Sequence, residues 1–258
     1  MAPPAARLRA PSPRSRLLAA PAMALLALTV LLVVTAPLAE SAPVVKLVAP
    51  FSGTPFQTVA RFHQGCGFNL VAHDLLFSAA SGKAHLNQES RARMCSGTSN
   101  VLTIFQTTTE TGLNSTTFAP TTSQPLAHVK VHWGLTYNWY LVTTWGNSSQ
   151  TTYAYFSVQV LATIYDTTTG TTYYPTNSYL NSVTLSDTNG SSLMHVTAVP
   201  VELFFNLSLS STHSYLYNTS LRLVTTVDTD GPGSAADANV LFYDPSLSDR
   251  ATLNWVTY

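Results

Sequence analysis

The feature that most limits what this chain can fold into is a two-residue rhythm in HVKVHWGLTYNWYLVTTW, residues 128–145. Its odd positions run Val129, Val131, Trp133, Leu135, Tyr137, Trp139, Leu141, Thr143, Trp145, and its even positions are mostly polar. Side chains alternate across a strand but advance 100° per residue round a helix, so one apolar face at period 2 requires a half-buried β-strand. The run is long for one strand, and Gly134 marks the expected place for a bend or bulge.

The same rhythm returns in YAYFSVQVLATIY, with Phe156, Val158, Val160, Ala162 and Ile164 aligned, and in VPVELFFNLSLS, with Val199, Val201, Leu203, Phe205, Leu207 and Leu209 aligned. TTYYP, TSLRLVTTV, ANVLFY and ATLNWVTY read as further strands. No stretch after Met23 carries a convincing 3.6-residue period. SGKAHLNQESRARM fits a short helix, but Ser81-Gly82 fits a hairpin turn equally well. Three turns, at Asp166–Gly170, Asp187–Gly190 and Asp228–Gly231, combine an Asp that caps its own backbone with a Gly that accepts positive φ. Short turns between such strands predict an all-β fold, an antiparallel β-sandwich of immunoglobulin-like or jelly-roll-like kind. Residues 107–125, TTTETGLNSTTFAPTTSQP, show little periodicity and read as a linker or a long surface loop, a possible sub-boundary within an exported β domain over 42–258.

Residues 17–39 carry no charge, follow Arg7, Arg9, Arg14 and Arg16, and precede the first acid, Glu40. As a helix they would span about 34 Å, enough for a hydrocarbon core of about 30 Å. The basic flank keeps the N-terminus inside and exports the residues beyond the apolar run. Residues 1–41 are therefore a signal peptide or a membrane anchor, and a single membrane segment at most. Ala39-Glu40-Ser41 supplies small residues at −3 and −1 for cleavage before Ala42, while the length of the apolar run favours an anchor. The chain beyond is expected to be extracellular or at the cell surface.

After residue 41 eight Lys and Arg face eleven Asp and Glu, a net charge of −3, and from Val131 onward two bases face eight acids. Phosphate binding needs clustered Lys and Arg, so nucleic acid is excluded as a partner. Hydrophobic residues make up 45% of the chain, which excludes disorder. The two cysteines, Cys66 and Cys95, both fall in the exported part and are expected to form one disulfide. The rival reading, zinc held with His63 and His73, lacks a finger or ribbon spacing.

Asp228, Asp230 and Asp237 form the richest acidic cluster and could offer hard oxygens to Ca²⁺, the one cofactor the residues suggest, though without the EF-hand pattern. Trp145, Tyr137 and Trp139 could stack a sugar if exposed, but they share a face with Val131 and Leu135 that reads as core. Glycosylation sequons stand at Asn114, Asn147, Asn189, Asn206 and Asn218. Asp-Thr-Gly, Gly-x-Ser-x-Gly, His-Glu-x-x-His and Walker motifs are absent, and no catalytic residue is nominated. These readings lead to a non-enzymatic protein with a structural, adhesive or ligand-display role and a surface, envelope or glycan partner. The alternative is a carbohydrate-binding or carbohydrate-active module using exposed aromatics.

Overall fold

The computed structural model describes residues 45–71, 76–93, 102–144, 151–187, 189–230, 233–242 and 250–258. The N-terminal segment 1–41 lies outside them. Among the described residues no helix is long and apolar enough to cross a membrane.

In chain order the strands are β1 (Lys46–Val48), β2 (Gly53–Gln64), β3 (Gly67–Val71), β4 (Leu76–Ser78), β5 (Lys83–His85), β6 (Asn87–Arg93), β7 (Thr103–Ser115) and β8 (Gln124–Thr144). They continue as β9 (Thr152–Asp166), β10 (Thr171–Tyr173), β11 (Tyr179–Ser186), β12 (Gly190–Leu209), β13 (Tyr215–Thr229), β14 (Ala235–Leu241) and β15 (Arg250–Thr257). All pair antiparallel in two sheets. The nine-stranded sheet runs β3-β6-β14-β8-β15-β5-β4, with β1 on β15 and β12 on β8; the six-stranded sheet runs β10-β9-β13-β7-β2, with β11 on β9. Residues 44–258 form one compact unit.

The predicted rhythm holds along β8. Val129, Val131, Trp133, Leu135, Tyr137, Trp139, Leu141 and Thr143 are all buried. β8 is the longest strand because it serves two sets of neighbours. Its first half pairs β15, its second half pairs β14, and β12 follows its whole opposite edge. Trp133 reaches from this sheet to the other, where its Nε1 donates to Thr219 Oγ1 at 2.9 Å on β13, and Thr219 Oγ1 donates to the Leu161 carbonyl. An indole N–H buried without an acceptor would carry its full desolvation cost, so this bond permits the large ring at the centre of the core.

The bend expected at Gly134 is displaced onto its neighbours. β12 bulges between Val196 and Val199, and β15 between Leu253 and Trp255. Both flank Gly134, whose added Cβ would stand 3.1 Å from Asn254 Nδ2. The glycine therefore makes room for bulges on either side while β8 itself continues unbroken.

Residues 107–125 are a loop only in part: 107–115 belong to β7, which lies between β13 and β2, 116–123 connect it to β8, and 124–125 begin β8. Thr103, Thr107, Thr109 and Thr111 point inward with Phe105 and Leu113 and are fully or almost fully buried. Thr107 and Thr109 tolerate burial because β6 meets them with Gln88 and Ser90; Thr111 Oγ1 donates instead to the Phe56 carbonyl at 3.3 Å, and Thr103 Oγ1 is buried without a hydrogen-bond partner. Gln88 Nε2 donates to the Thr107 carbonyl at 2.8 Å and to Thr225 Oγ1 at 2.7 Å, and Thr109 Oγ1 donates to Gln88 Oε1 at 2.6 Å. Ser90 Oγ lies 2.7 Å from Thr225 Oγ1. Around Gln88, a seam of hydrogen-bonded hydroxyls of Ser90, Thr109 and Thr225 thus takes the place of aliphatic packing between the sheets. The Ser81-Gly82 hairpin reading holds, with Gly82 at φ +68 and its N–H donating to the Ser78 carbonyl.

One exposed strand edge is covered. Along β12, the Phe204 N–H donates to Asn177 Oδ1, the Glu202 carbonyl accepts from Asn177 Nδ2, and the Phe204 carbonyl accepts from the Thr176 N–H. The segment between β10 and β11 satisfies backbone groups that would otherwise offer a template for another strand.

Candidate functional site

The acidic trio does not converge. Asp228 and Asp230 stand at outward positions of β13 and its end, because Val227 and Thr229 take the inward ones. Asp237 stands at an outward position of β14 in the other sheet, between buried Ala236 and Ala238. Asp237 accepts from Arg91 Nε at 2.9 Å, and Arg91 also contacts Glu89 at 2.6 Å. Asp230 accepts from the Thr151 N–H and ties the end of β13 to the start of β9. Among the described residues no group of three or more His, Cys, Asp or Glu is placed to hold a metal. Asp228 and Asp230 belong to the six-stranded sheet and its end, and Asp237 to the nine-stranded one.

The tryptophan platform is corrected. Tyr137 is 0% and Trp139 6% exposed, and a sugar-stacking ring must face solvent. Tyr137 packs on Phe242 and Trp139 on Phe156, with ring centroids 4.6 and 4.9 Å apart. Trp145 lies outside the described residues.

Cys66 lies in the turn between β2 of the smaller sheet and β3 of the larger. Its carbonyl accepts from the Arg93 N–H at 2.9 Å, and no cysteine among the described residues is free. Cys95 and His73 fall outside them. Among the sequons, Asn114, Asn189 and Asn206 are exposed, Asn218 is half-buried, and Asn147 lies outside the described residues. Asn218 Nδ2 donates to Asn114 Oδ1 at 2.6 Å.

The most developed constellation shows in the sequence only as a turn. Alternation along β9 continues past Ile164, so Asp166 takes the next inward position and is 1% exposed. Its Oδ1 accepts from the Thr168 and Thr169 N–H groups at 2.9 and 3.1 Å, and Gly170 at φ +73 closes the turn onto the Asp166 carbonyl. Its Oδ2 faces His213 Nδ1 at 2.8 Å. Burial alone would raise the Asp166 pKa; the hydrogen bonds from His213, Thr169 and Thr168 together outweigh it and hold the carboxyl below its ordinary value. The loop carrying His213 is fastened to the turn, since Thr167 N–H and Oγ1 both donate to the Ser214 carbonyl and the Ser214 N–H donates to Thr168 Oγ1. On the same side Tyr215, 1% exposed, accepts at its hydroxyl from the Ser210 N–H at 2.9 Å.

These groups line a hollow of about 570 Å³ at the end of the molecule where β8 and β13 begin and β9 and β12 finish. Pro125, Thr171, Tyr173 and Ser210 complete its wall. The sequence carries the signal in two parts, the parity of Asp166 with Ile164 and the tight HSY run at 213–215, but the pairing of 166 with 213 needs the β9–β13 register, in which Asp166 stands opposite Tyr215.

Comparison with known proteins adds little. No family model matches the chain. No curated protein matches it. One solved structure, "Structure of infectious bursal disease virus Gx strain", aligns at 12% identity over 83% of this chain and 40% of that chain with a TM-score of 0.10. The chain spans less than half of that structure's length, and a likeness so slight supports no inference.

Proposed function

We propose that this chain is an exported, non-enzymatic β-sandwich protein of the cell surface or its surroundings, with a role in surface structure, adhesion or ligand display. The observation that carries the reading is where the compact unit starts. It begins at Val44, just beyond the apolar run and two residues after the cleavage position before Ala42. Neutral Thr, Ser, Asn and Tyr dominate its outward positions, as in β11, whose sequence is YLNSVTLS. With fifteen described strands, the fold is larger than the seven- or nine-strand immunoglobulin plan and the eight-strand jelly roll.

A carbohydrate-binding role has one observation in its favour, the Asp166–His213 hollow, and none from the tryptophans. Hydrolysis of sugars ordinarily requires two carboxyl groups flanking one bond, and Asp166 is the only carboxyl in that hollow. The test is fractionation of cells producing the intact chain. External protease should degrade the β domain in unbroken cells, and N-terminal sequencing of released protein should begin at Ala42. A domain protected inside unbroken cells would overturn the reading.

A further inference from the structure

Two polar atoms facing the hollow have unused valences. Neutral His213 that donates Nδ1–H to Asp166 keeps a lone pair on Nε2. The imidazole also lies beside the Tyr215 ring, with centroids 6.2 Å apart, and the His213 N–H donates to the Ser210 carbonyl. The Tyr215 hydroxyl receives the Ser210 N–H but donates to nothing. An acceptor and a donor therefore stand side by side on one wall, each held in place: the imidazole by a buried carboxylate, the phenol by a backbone amide. Tyr215 is almost wholly buried, so its O–H gains from any acceptor, water or a ligand hydroxyl, that enters the hollow.

The group that satisfies both atoms at once must accept from a phenol and donate to an imidazole. An aliphatic hydroxyl does this, as does an adjacent pair of hydroxyls. The remaining wall fits the same chemistry. Thr169, Thr171, Ser123 and Ser210 supply further hydroxyls, and Tyr173 and Pro125 supply apolar surface for a C–H face. No Lys or Arg lines the hollow, and its single carboxylate is already saturated by three donors, so an anion gains nothing there. A volume of about 570 Å³ is within the ~300–1,000 Å³ range of small-molecule sites.

We propose that the Asp166–His213–Tyr215 hollow binds a neutral polyhydroxyl ligand, a sugar residue of a glycan, through His213 Nε2 and the Tyr215 hydroxyl, with Asp166 as the residue that positions the imidazole. The proposal names the ligand class for the ligand-display form of the function above and rests on that reading.

The experiment is saturation-transfer NMR on the full-length protein in detergent, with the methyl glycosides of glucose, galactose, mannose and N-acetylglucosamine, and with galacturonate and inorganic phosphate as charged probes. At least one neutral glycoside should receive saturation. Its affinity should fall roughly tenfold in Tyr215→Phe and in His213→Phe, the weight of one well-placed hydrogen bond. His213→Phe also removes a donor from buried Asp166, so folding of both variants is checked by melting and circular dichroism, and Tyr215→Phe, which loses only a hydroxyl, is the deciding variant. No transfer to any of the four glycosides overturns the proposal, as does transfer unchanged in Tyr215→Phe, or stronger binding of phosphate or galacturonate. A protein retained inside the cell that still binds through Tyr215 would remove export and leave the site, and an exported protein without binding would do the reverse.

Discussion

Asp166 and Asp228 are aspartates on adjacent strands of one sheet, yet the fold treats them oppositely. Asp166 is held ionised by three donors, whereas burial and then the neighbouring Asp230 push Asp228 up. Asp228 Oδ1 is buried without a hydrogen-bond partner. Glu89 is likewise raised by burial and then by Asp237, against Arg91, and Asp237 by burial despite Arg91. The pH dependence comes from these signs. A raised carboxyl costs stability while ionised, and the cost is relieved as pH falls toward its folded pKa. A depressed one contributes stability that is complete above the ordinary value of about 3.9 and is lost as pH falls through its lowered pKa. Melting temperature should therefore rise as pH drops from neutral toward the ordinary carboxylate range, and fall below it. Asp228→Asn should stabilise the protein by about 1 kcal/mol at pH 7, since it removes a poorly satisfied buried charge, and should flatten the rise. Melting followed by circular dichroism from pH 7 to pH 3 checks both; a profile that declines monotonically from neutrality would show the signs to be wrong.

Among the elements, β8 is legible in the sequence and β7 is not, and the difference is chemical. β8 buries Trp133, Leu135, Tyr137 and Trp139, whose alternation with polar residues stands out in any reading. β7 has the same geometry, but its inward face is mostly threonine and its outward face mixes Ile104, Gln106, Thr108, Glu110 and Asn114, so little hydropathy contrast marks the period. Only the partner strand explains it, because Gln88 and Ser90 supply the hydrogen bonds that make buried Thr107 and Thr109 tolerable. Gln88→Ala should cost about 2–4 kcal/mol, because it strands the Thr109 hydroxyl and the Thr107 carbonyl in the core. An effect below about 0.5 kcal/mol, the range of an ordinary surface change, would show the seam to be incidental. The bulge on β12 is testable in the other direction. Ala198 sits at φ +51, where a Cβ is strained, and its N–H donates to Thr136 Oγ1 at 3.1 Å. Ala198→Gly should keep that bond, relieve the strain and stabilise by about 1 kcal/mol, read as a higher urea midpoint at unchanged slope.

For the whole molecule, the sequence conveys the class, all-β with antiparallel pairing, because alternation and turn chemistry are local. It does not convey which residues meet at the ends of the sheets. Asp166 and His213 are 47 residues apart and Gln88 and Thr225 are 137 apart, and such neighbours are set by register. The cysteines pose the same problem at the largest scale. Cys66 marks a passage of the chain from the smaller sheet to the larger, between β2 and β3, and its carbonyl is bonded to Arg93 at the end of β6. Cys95 comes two residues later in sequence, so a bond between them would clamp that passage to the edge of the larger sheet. In the chain-entropy model a closed loop of about 30 residues is worth about 3–4 kcal/mol. For a domain of this size each kcal/mol shifts melting by about 2–4 °C, so reductant, or Cys66→Ser, should lower the melting temperature by roughly 10 °C. Reductant should then have no further effect on the variant. Peptide mapping without reductant should recover Cys66 joined to Cys95. Two alkylatable thiols in freshly exported protein, or melting indifferent to reductant, would show that β2 and β3 are held by their sheets alone.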